Sequence, residues 1–470
     1  MRSLVCALLT LAIAAPADAR KVTLAELIDM ARKRGAQVAI AEAQLGQSEA
    51  TLSEQKRNYA PYGDLSYYLT AAPNVQCQTP DGVMNSPSTG LTDQQFREKN
   101  CINTVGDTGQ NISYFSLNFA GPAMGLDIHL TQPLFTFGKI EYAVRAGKHG
   151  VNAAEHAVDA ARLDAELLAV RGYWGLKAAQ AGIALAKDAR EQIDPWEKKI
   201  NDDLDAPKPR FSQRDLFRLK SAIGTLDNRL ADLVRLESQA KEGLRVLVGE
   251  DIELDDAELD AVEVDEQPLA YYQELALSHR PELRQLDEGV LALADVARAR
   301  RSEMLPNLAL VAGLTYRYAP TIEDSTNAFV NHANIFGYGG ALALSQPLDF
   351  IQKLGHLNHA NADAETILAQ RRGMRDLIRF EIARAYADLV EARTRVETTH
   401  RNQRMAQGWL SSEREKMELG TADPGDDVRG LVEAARAYFE QRGAWFQAIL
   451  DKNIAAAVLR RSSGAEVTRR

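Results

Sequence analysis

One ten-residue pattern occurs twice in this chain, and it constrains the fold more than any other feature. It reads LTQPLFTFGK at positions 130–139 and LSQPLDFIQK at positions 344–353. Each copy ends a segment in which apolar and polar residues alternate, as in a β-strand with one apolar face. Each copy also opens a long segment with helical periodicity. A strand-to-helix junction that recurs 214 positions later (344 − 130) indicates an internal duplication.

The two halves follow one plan, helix–strand–strand–helix–helix. Pro61 and Pro306 differ by 245 positions and Gln132 and Gln346 by 214, so the first loop is longer by 31 residues (245 − 214). We expect a first structural repeat at 20–249, with strands near 61–70 and 123–134 around a long polar loop at 71–119. An acidic linker at 250–267 is interpreted as a solvated connector. The second repeat covers 268–462, with strands near 307–318 and 338–348, and a polar tail covers 463–470.

Apolar and small residues in the predicted helices recur at a seven-residue spacing. Val144, Val151 and Val158 follow this spacing in the first half, and Ile378 and Ala385 follow it in the second. A heptad pattern sustained over such lengths predicts coiled-coil packing of long helices. The predicted helices span 22–58, 138–194, 213–248, 269–304, 352–419 and 426–459, with a break in the pattern from Asp194-Pro195 to Phe211.

Each of the four predicted strands has one apolar face, yet four strands cannot close on themselves. In the first strand Leu65, Tyr67 and Leu69 face one way, whereas Asp64 and Ser66 face the other. A strand of about ten residues is long enough to cross a bilayer when tilted. Lipid does not tolerate open strand edges, and bacterial single-chain barrels have at least about eight strands. If these strands span a membrane, several copies of the chain must therefore share one barrel.

Residues 1–19 have the features of a signal peptide. Arg2 supplies a positive charge, an apolar run follows, and Ala17-Asp18-Ala19 offers small residues for cleavage. In an exported chain Cys77 and Cys101, which both lie in the first loop, are expected to form a disulfide, with free thiols as the alternative. The net charge of −10 argues against a nucleic-acid partner, because such partners need a basic face.

No catalytic or cofactor-binding pattern is present in the sequence. The chain has neither a glycine-rich phosphate loop nor a cysteine pair at zinc spacing, and its Ser, His and Asp residues occur in no nucleophile motif. His356 and His359 are spaced to share a metal, but a solvated helix face explains the pair better because no third ligand is evident. We therefore expect a protein that is not an enzyme and that has no catalytic residue, cofactor or metal site.

The ordered combination of these features resembles the TolC-like outer-membrane efflux protein family. The resemblance rests on the two Gln-Pro-Leu junctions, on the tandem repeats, and on the segment KMELGTADPGD at 416–426 ahead of an alanine-rich helix. It implies an α+β membrane protein whose homotrimer shares a twelve-stranded β-barrel, four strands from each chain, on a long α-helical coiled-coil tunnel in the periplasm. It also implies two partners, a periplasmic adaptor (a membrane fusion protein) and an inner-membrane transporter.

By the same resemblance the chain is an exit duct in the cell outer membrane. It would serve a tripartite efflux or type I secretion system and pass substrates from the periplasm or the inner-membrane transporter to the exterior. The alternative is a non-transporting periplasmic coiled-coil protein that tethers the cell envelope. The junctions would mark the periplasmic rim of the barrel, because proline has no N–H to donate and suits the end of a strand. Their residues are Gln132, Pro133, Leu134, Gln346, Pro347 and Leu348.

The turns between the paired long helices would form the periplasmic entrance of the tunnel. Matched to the family pattern, the tip that contacts the adaptor consists of Leu419, Gly420 and Thr421. The candidate entrance gate consists of Asp423, Asp426 and Asp427. Carboxylates from several copies would narrow the entrance and favour bound cations; the alternative is that they are ordinary turn and N-cap residues. The first tip, at 202–209, lacks the Leu-Gly-Thr turn, so three strong adaptor sites per trimer are as plausible as six.

Overall fold

The computed structural model describes residues 20–74, 90–100, 116–264, 267–323, 333–419 and 424–465, so the expected signal peptide and both Cys77 and Cys101 lie outside the described residues. The predicted α+β architecture with tandem repeats is confirmed. The elements in chain order are β1 (Arg20–Val22), α1 (Leu24–Arg34), α2 (Ala36–Arg57), β2 (Tyr62–Asn74), α3 (Asp93–Asn100), β3 (Ser116–Phe135), α4 (Lys139–Leu204), α5 (Gln213–Val248), β4 (Ile252–Leu254), α6 (Leu269–His279), α7 (Pro281–Ser302), β5 (Asn307–Tyr318), β6 (Ile335–Ser345), α8 (Phe350–Leu419) and α9 (Pro424–Ser462).

The chain divides into two units. The sheet unit consists of Ala50–Lys148 and Leu291–Ala364. The helical unit contains the residues up to Glu49, His149–Val290 and the residues from Glu365 onward. Both halves of the duplication therefore contribute to each unit.

The sheet unit contains a four-stranded antiparallel sheet in the order β2-β3-β5-β6. Each repeat contributes one hairpin, and the pairing of β3 with β5 joins the two hairpins. β5 spans the range expected for it, whereas β6 begins and ends three residues before the expected 338–348. The alternation of side chains predicts that a strand exists more reliably than it predicts where hydrogen bonding stops.

The first loop is shorter and more structured than the expected 71–119. β2 continues to Asn74 and β3 already begins at Ser116, because the two strands keep pairing beyond the apolar stretch. Between them lies α3, an eight-residue helix. Its N-terminus is a capping box: the Gln95 N–H donates to Thr92 Oγ1 (3.2 Å) and the Thr92 N–H donates to Gln95 Oε1 (3.0 Å).

Two of the expected helices are each divided by a break at the same place in their repeats. The expected helix at 22–58 is α1 and α2, which meet at Gly35, and that at 269–304 is α6 and α7, which meet at Arg280, 245 positions later (280 − 35). Pro281 explains the second break, because proline disfavours a helical conformation in the residue before it. Gly35 explains the first: its ψ of 129° leaves the helix, and a Cβ there would lie 2.6 Å from the carbonyl oxygen of Ala31.

The break expected at Asp194-Pro195 is wrong, because α4 continues through Pro195 to Leu204. Ile193, Trp196 and Ile200 pack into a hydrophobic cluster with residues of α5. That burial offsets the roughly 3 kcal/mol that a proline costs inside a helix. Within the described ranges, no helix is both long enough and apolar enough to cross a bilayer.

The long helices of the helical unit pack as antiparallel pairs, which confirms the predicted coiled coil. In the first pair Gly172 lies against Leu244 and Gly182 against Leu233, so small residues let α4 and α5 approach closely. In the second pair His400 of α8 stacks on Trp445 of α9, with ring centroids 4.9 Å apart. The buried side chains of α8 alternate in steps of four and three, the coiled-coil spacing; they include Ile378, Ile382, Ala385, Leu389 and Ala392.

The acidic linker is not simply a solvated connector. Ile252–Leu254 forms β4, which pairs in parallel with β1. Just after it, Asp255 accepts a hydrogen bond from the Tyr173 hydroxyl (2.8 Å), and its Oδ1 lies 3.0 Å from Lys177 Nζ. Lys177 also donates to the carbonyl oxygen of Ala257 (2.8 Å). A high count of carboxylates predicted solvation, but this carboxylate is held by a nearly buried lysine of α4.

Candidate functional site

One face of the four-stranded sheet consists of apolar side chains that no other part of the described chain covers. The strand register continues this face from edge to edge; one row of paired positions is Leu65, Ile128, Leu314 and Tyr338. The exposed fractions range from 39% to 82% for Leu65, Tyr67, Leu69, Leu310, Tyr316, Tyr338, Leu342 and Leu344. An exposed apolar surface of this extent marks a site that meets lipid or another protein.

The opposite face of the sheet consists mostly of polar side chains, glycines and small apolar side chains. One row of paired positions is Asp64, His129, Gly313 and Gly339, and the next is Ser66, Asp127, Thr315 and Gly337. The hydroxyl of Thr315 donates to Asp127 Oδ1 at 2.8 Å across β3 and β5. The sheet therefore separates an apolar surface from a polar one, which is the arrangement of a barrel wall between lipid and water.

Both edges of this sheet are open in the described chain. β2 pairs only with β3, and β6 pairs only with β5, so 13 residues of β2 and 11 residues of β6 have one unpaired side. Long edges with an apolar face and few charges are sites for pairing with another strand; β2 has one charged residue, Asp64, and β6 has none. Because β2 and β6 point in opposite directions, the β6 edge of one copy matches the β2 edge of another as an antiparallel pair.

The junction glutamines make the same contact in both repeats. Gln132 Nε2 donates to the carbonyl oxygen of Tyr59 at 2.7 Å, and Gln346 Nε2 donates to that of Met304 at 2.7 Å. Tyr59 and Met304 are themselves equivalent, since 304 − 59 is the 245 that separates Pro61 from Pro306. Each glutamine thus ties the end of a returning strand to the turn that enters the hairpin, and this contact explains why both copies carry it.

The prolines of the two junctions differ in position. Pro133 lies inside β3, next to a register shift between Pro133 and Phe135, whereas Pro347 lies beyond the end of β6 at Ser345. Pro133 thus lies near the end of its strand, as expected, whereas the expectation that the second strand includes Pro347 and reaches Leu348 is wrong. The first junction enters its helix through Phe137 (φ 52°) and Gly138 (φ 91°). In the second junction α8 already begins at Phe350, so no such turn is needed.

We expect that replacing Gln346 with leucine lowers the free energy of unfolding by about 1 kcal/mol, because the Met304 carbonyl oxygen loses its donor. Gln132→Leu should have a similar effect through Tyr59. Denaturant unfolding of the detergent-solubilised protein measures both changes. The matched control is Gln352→Leu, an exposed glutamine six positions further along (352 − 346) that makes no such contact. Equal stability of Gln346→Leu and Gln352→Leu would contradict the role of the junction contact.

The second helical tip is only partly described. Leu419 is the last residue of α8, and its side chain is 68% exposed. Gly420, Thr421 and Asp423 lie outside the described residues. Asp426 and Asp427 lie in the first turn of α9, and Asp426 is exposed. The structure thus puts Leu419 and Asp426 at the two helix ends that border this turn.

The first helical tip is closed by its own hydrogen bonds. Asp203 accepts from the backbone N–H groups of Arg210 (2.6 Å) and Phe211 (2.8 Å), and Phe211 is buried. Asp215 accepts from the N–H and the hydroxyl of Ser212, the N-cap residue of α5. The carboxylate of Asp203 is thus used within the turn, a role that its place in an acidic stretch did not reveal.

Among the described residues, no group of three His, Cys, Asp or Glu side chains is arranged to hold a metal ion. His359, one of the two histidines at helical spacing, lies 2.9 Å from Asp363 one turn further along α8. The contact is an ordinary one on an exposed helix face.

Comparison with known proteins relates the chain to solved structures only. No protein-family model matches it, and no curated protein matches it significantly. The outer-membrane channel OprN is 17% identical, with 94% of this chain and 90% of that chain covered and a TM-score of 0.72. The Campylobacter jejuni CmeC outer membrane channel is 15% identical (95% and 87% covered, TM-score 0.72).

The open state of the Neisseria gonorrhoeae MtrE outer membrane channel is 16% identical, with 95% of this chain and 90% of that chain covered and a TM-score of 0.69. At such identities the likeness concerns the fold, and it extends over nearly the whole of each chain. The fold expected from the sequence is confirmed: this chain has the fold of the outer-membrane channels OprN, CmeC and MtrE.

Proposed function

We propose that this chain is the subunit of an outer-membrane channel, the exit duct of a tripartite efflux or type I secretion system. The observation that carries the proposal is the two-faced sheet, whose apolar face is exposed from edge to edge and whose other face is polar. A water-soluble envelope tether would expose this apolar face to water, which is unfavourable in free energy. The alternative of a non-transporting coiled-coil protein is therefore disfavoured.

The open edges support an assembly of several copies. Three copies would join β6 to β2 at each boundary and close a barrel of twelve strands, each copy giving four. The long helices would continue from the barrel as a tunnel in the periplasm. α4 has 66 residues and α8 has 70, which corresponds to roughly 100 Å at 1.5 Å per residue. Such lengths exceed a bilayer severalfold, which supports a tunnel that would meet an adaptor and an inner-membrane transporter.

Reconstitution tests this function. The purified protein should run as a trimer in detergent and form ion-conducting channels in planar bilayers. A protein that stays a water-soluble monomer and never conducts would overturn the proposal. The adaptor should bind at the second tip, where Leu419 is exposed beside Gly420 and Thr421. Leu419→Ala should therefore weaken capture of the cognate adaptor without changing the conductance.

We expect Asp426→Asn combined with Asp427→Asn to weaken block of the channel by divalent cations. In a trimer these positions, with Asp423, would bring like charges together at the entrance, and such a ring favours bound cations. The measurement is the conductance at rising concentrations of a divalent ion. Asp202→Asn at the first tip is the control, because that exposed carboxylate lies on the other helical pair. If divalent cations block the double variant as strongly as the unaltered protein, Asp426 and Asp427 do not act as a gate.

A further inference from the structure

A short segment after β5 crosses the polar face of the sheet at the end opposite the junctions. This segment, residues 319–323, is called the strap. Thr321 of the strap lies against Gly121 of β3, where an added Cβ would be 2.5 Å from the Thr321 methyl group. Gly121 is four residues before Gly125, whose pairing with Tyr68 and Arg317 places it on the polar face. Since side chains alternate along a strand, Gly121 faces the same side, and so the strap covers the polar face there.

The strap is held at several points. The Thr321 hydroxyl donates to the carbonyl oxygen of Pro73 at 3.2 Å. Asn334 joins the two ends of the strap: its Oδ1 accepts from the Ala319 N–H (2.7 Å), and its Nδ2 donates to the Ile322 carbonyl oxygen (2.9 Å). Ala319 is buried, as is Ala72 of β2, the pairing partner of Gly121. Hydrogen bonds and packing thus fix the strap to this end of the sheet.

A bidentate ion pair joins α3 to the strap. Arg97 Nη2 lies 2.6 Å from Glu323 Oε1, and Arg97 Nε donates to Glu323 Oε2 at 2.8 Å. The side chains are only 16% and 11% exposed, so water competes weakly with this bidentate pair. The pair joins the first loop to the second across 226 positions of sequence. A capped helix from one hairpin is therefore fastened to the strap of the other hairpin.

We propose that α3 and the strap form a constriction at the distal mouth of the channel, and that the Arg97–Glu323 pair is the latch that holds it closed. The inference rests on the proposed function, since the polar face lines a pore only in an assembled barrel. The junctions lie at the other end of the same strands, so the strap lies at the end of the sheet away from the junctions. In an assembly of three copies, three straps and three α3 helices converge on one mouth.

Single-channel recording in planar bilayers tests the latch. Arg97→Glu places two carboxylates together, and Glu323→Arg places two cations together, so each variant should shift the ratio of open to closed states about tenfold toward open, the equivalent of one strong charge-assisted contact. The double exchange, Arg97→Glu with Glu323→Arg, should restore the ratio of the unaltered protein. Lys99→Glu, an equal change of charge on an exposed position of α3, should leave the ratio unchanged.

The neutral variants Arg97→Gln and Glu323→Gln remove one charge of the pair without introducing repulsion. They are recorded in place of the charge-reversal variants if a charge reversal prevents assembly. The latch is overturned if the protein conducts but neither the reversals nor the neutral variants change the open fraction, or if Lys99→Glu opens the channel equally. Absence of conductance in every variant and in the unaltered protein would instead overturn the proposed function. The two failures are therefore distinguishable in one set of recordings.

Discussion

Leu65→Arg is expected to prevent assembly of the protein in the outer membrane. Leu65 is the fourth residue of β2 and lies on the apolar face, in the row that continues through Ile128, Leu314 and Tyr338. An arginine that faces lipid costs up to roughly 2–4 kcal/mol, depending on its depth in the bilayer, and each copy in an assembly would carry this cost. The position also borders an open edge of the sheet, so the charge would weaken pairing with a neighbouring copy. The measurement is the amount of oligomer in the outer-membrane fraction.

Ser66→Arg is the matched control. Ser66 is the next residue of the same strand, but it faces the polar side, where its pairing partner is Asp127. A one-residue difference along a strand exchanges the two faces, so the two variants differ in the surface that receives the same charge. Ser66→Arg should assemble at a normal level and change only the ion selectivity of the channel. Equal loss of both variants would contradict the assignment of the apolar face to lipid.

Some elements of the fold could be read from the sequence because their signals are local. A strand with one apolar face repeats every two residues, and a coiled-coil helix repeats every seven, so β5 and α5 appear where the pattern predicts them. The duplicated junction adds a second local signal. Its glutamines could be noticed in the sequence, but their contacts with Tyr59 and Met304 depend on how strand and turn meet in space.

Other features depend on contacts between distant residues, and the sequence patterns did not reveal them. α4 passes through Pro195 because its neighbours Ile193 and Trp196 are partly buried in a cluster with residues of α5, so tertiary packing overrides a local stop signal. The loop at 71–119 carried a Thr-x-x-Gln capping box at Thr92, but its polar composition outweighed that signal. The Arg97–Glu323 pair could not be predicted, because no periodicity relates residues 226 positions apart.

The two helical tips show the same distinction between local sequence signals and contacts that depend on the fold. A serine directly before a helix is a local signal for an N-cap, and Ser212 forms a capping box with Asp215 at the start of α5. The role of Asp203 in closing the first tip depends on the turn that brings Arg210 and Phe211 back to it, which spacing alone does not specify. At the second tip the resemblance to a family identified the segment, and its gate and adaptor roles stay predictions.

Lys177→Met is expected to lower the free energy of unfolding of the protein by about 3 kcal/mol, because a buried ion pair is costly to break on one side. Lys177 is only 6% exposed. Its ammonium group pairs with the Asp255 carboxylate, which is 27% exposed, and donates hydrogen bonds to two backbone carbonyl oxygens. Methionine fills a similar volume but leaves these oxygens without their donor. The loss would release the end of β4 from α4. Denaturant unfolding at neutral pH measures the change, and Lys187→Met, an exposed lysine of the same helix, is the control.

The pH dependence of that difference gives a second test. Burial alone would raise the pKa of Asp255, but hydrogen bonds from Tyr173 and Lys177 outweigh burial and lower it below its ordinary value of 3.8. Burial, aided by Asp255, raises the pKa of the Tyr173 hydroxyl, which therefore stays a donor. A carboxylate with a lowered pKa contributes stability above its ordinary pKa and loses that contribution as the pH falls through the lowered value. The unaltered protein should therefore lose part of its advantage over Lys177→Met in strong acid, where only the hydrogen bonds to the carbonyl oxygens of Asp255 and Ala257 remain. An advantage that does not shrink there would show that the ion pair with Asp255 does not contribute.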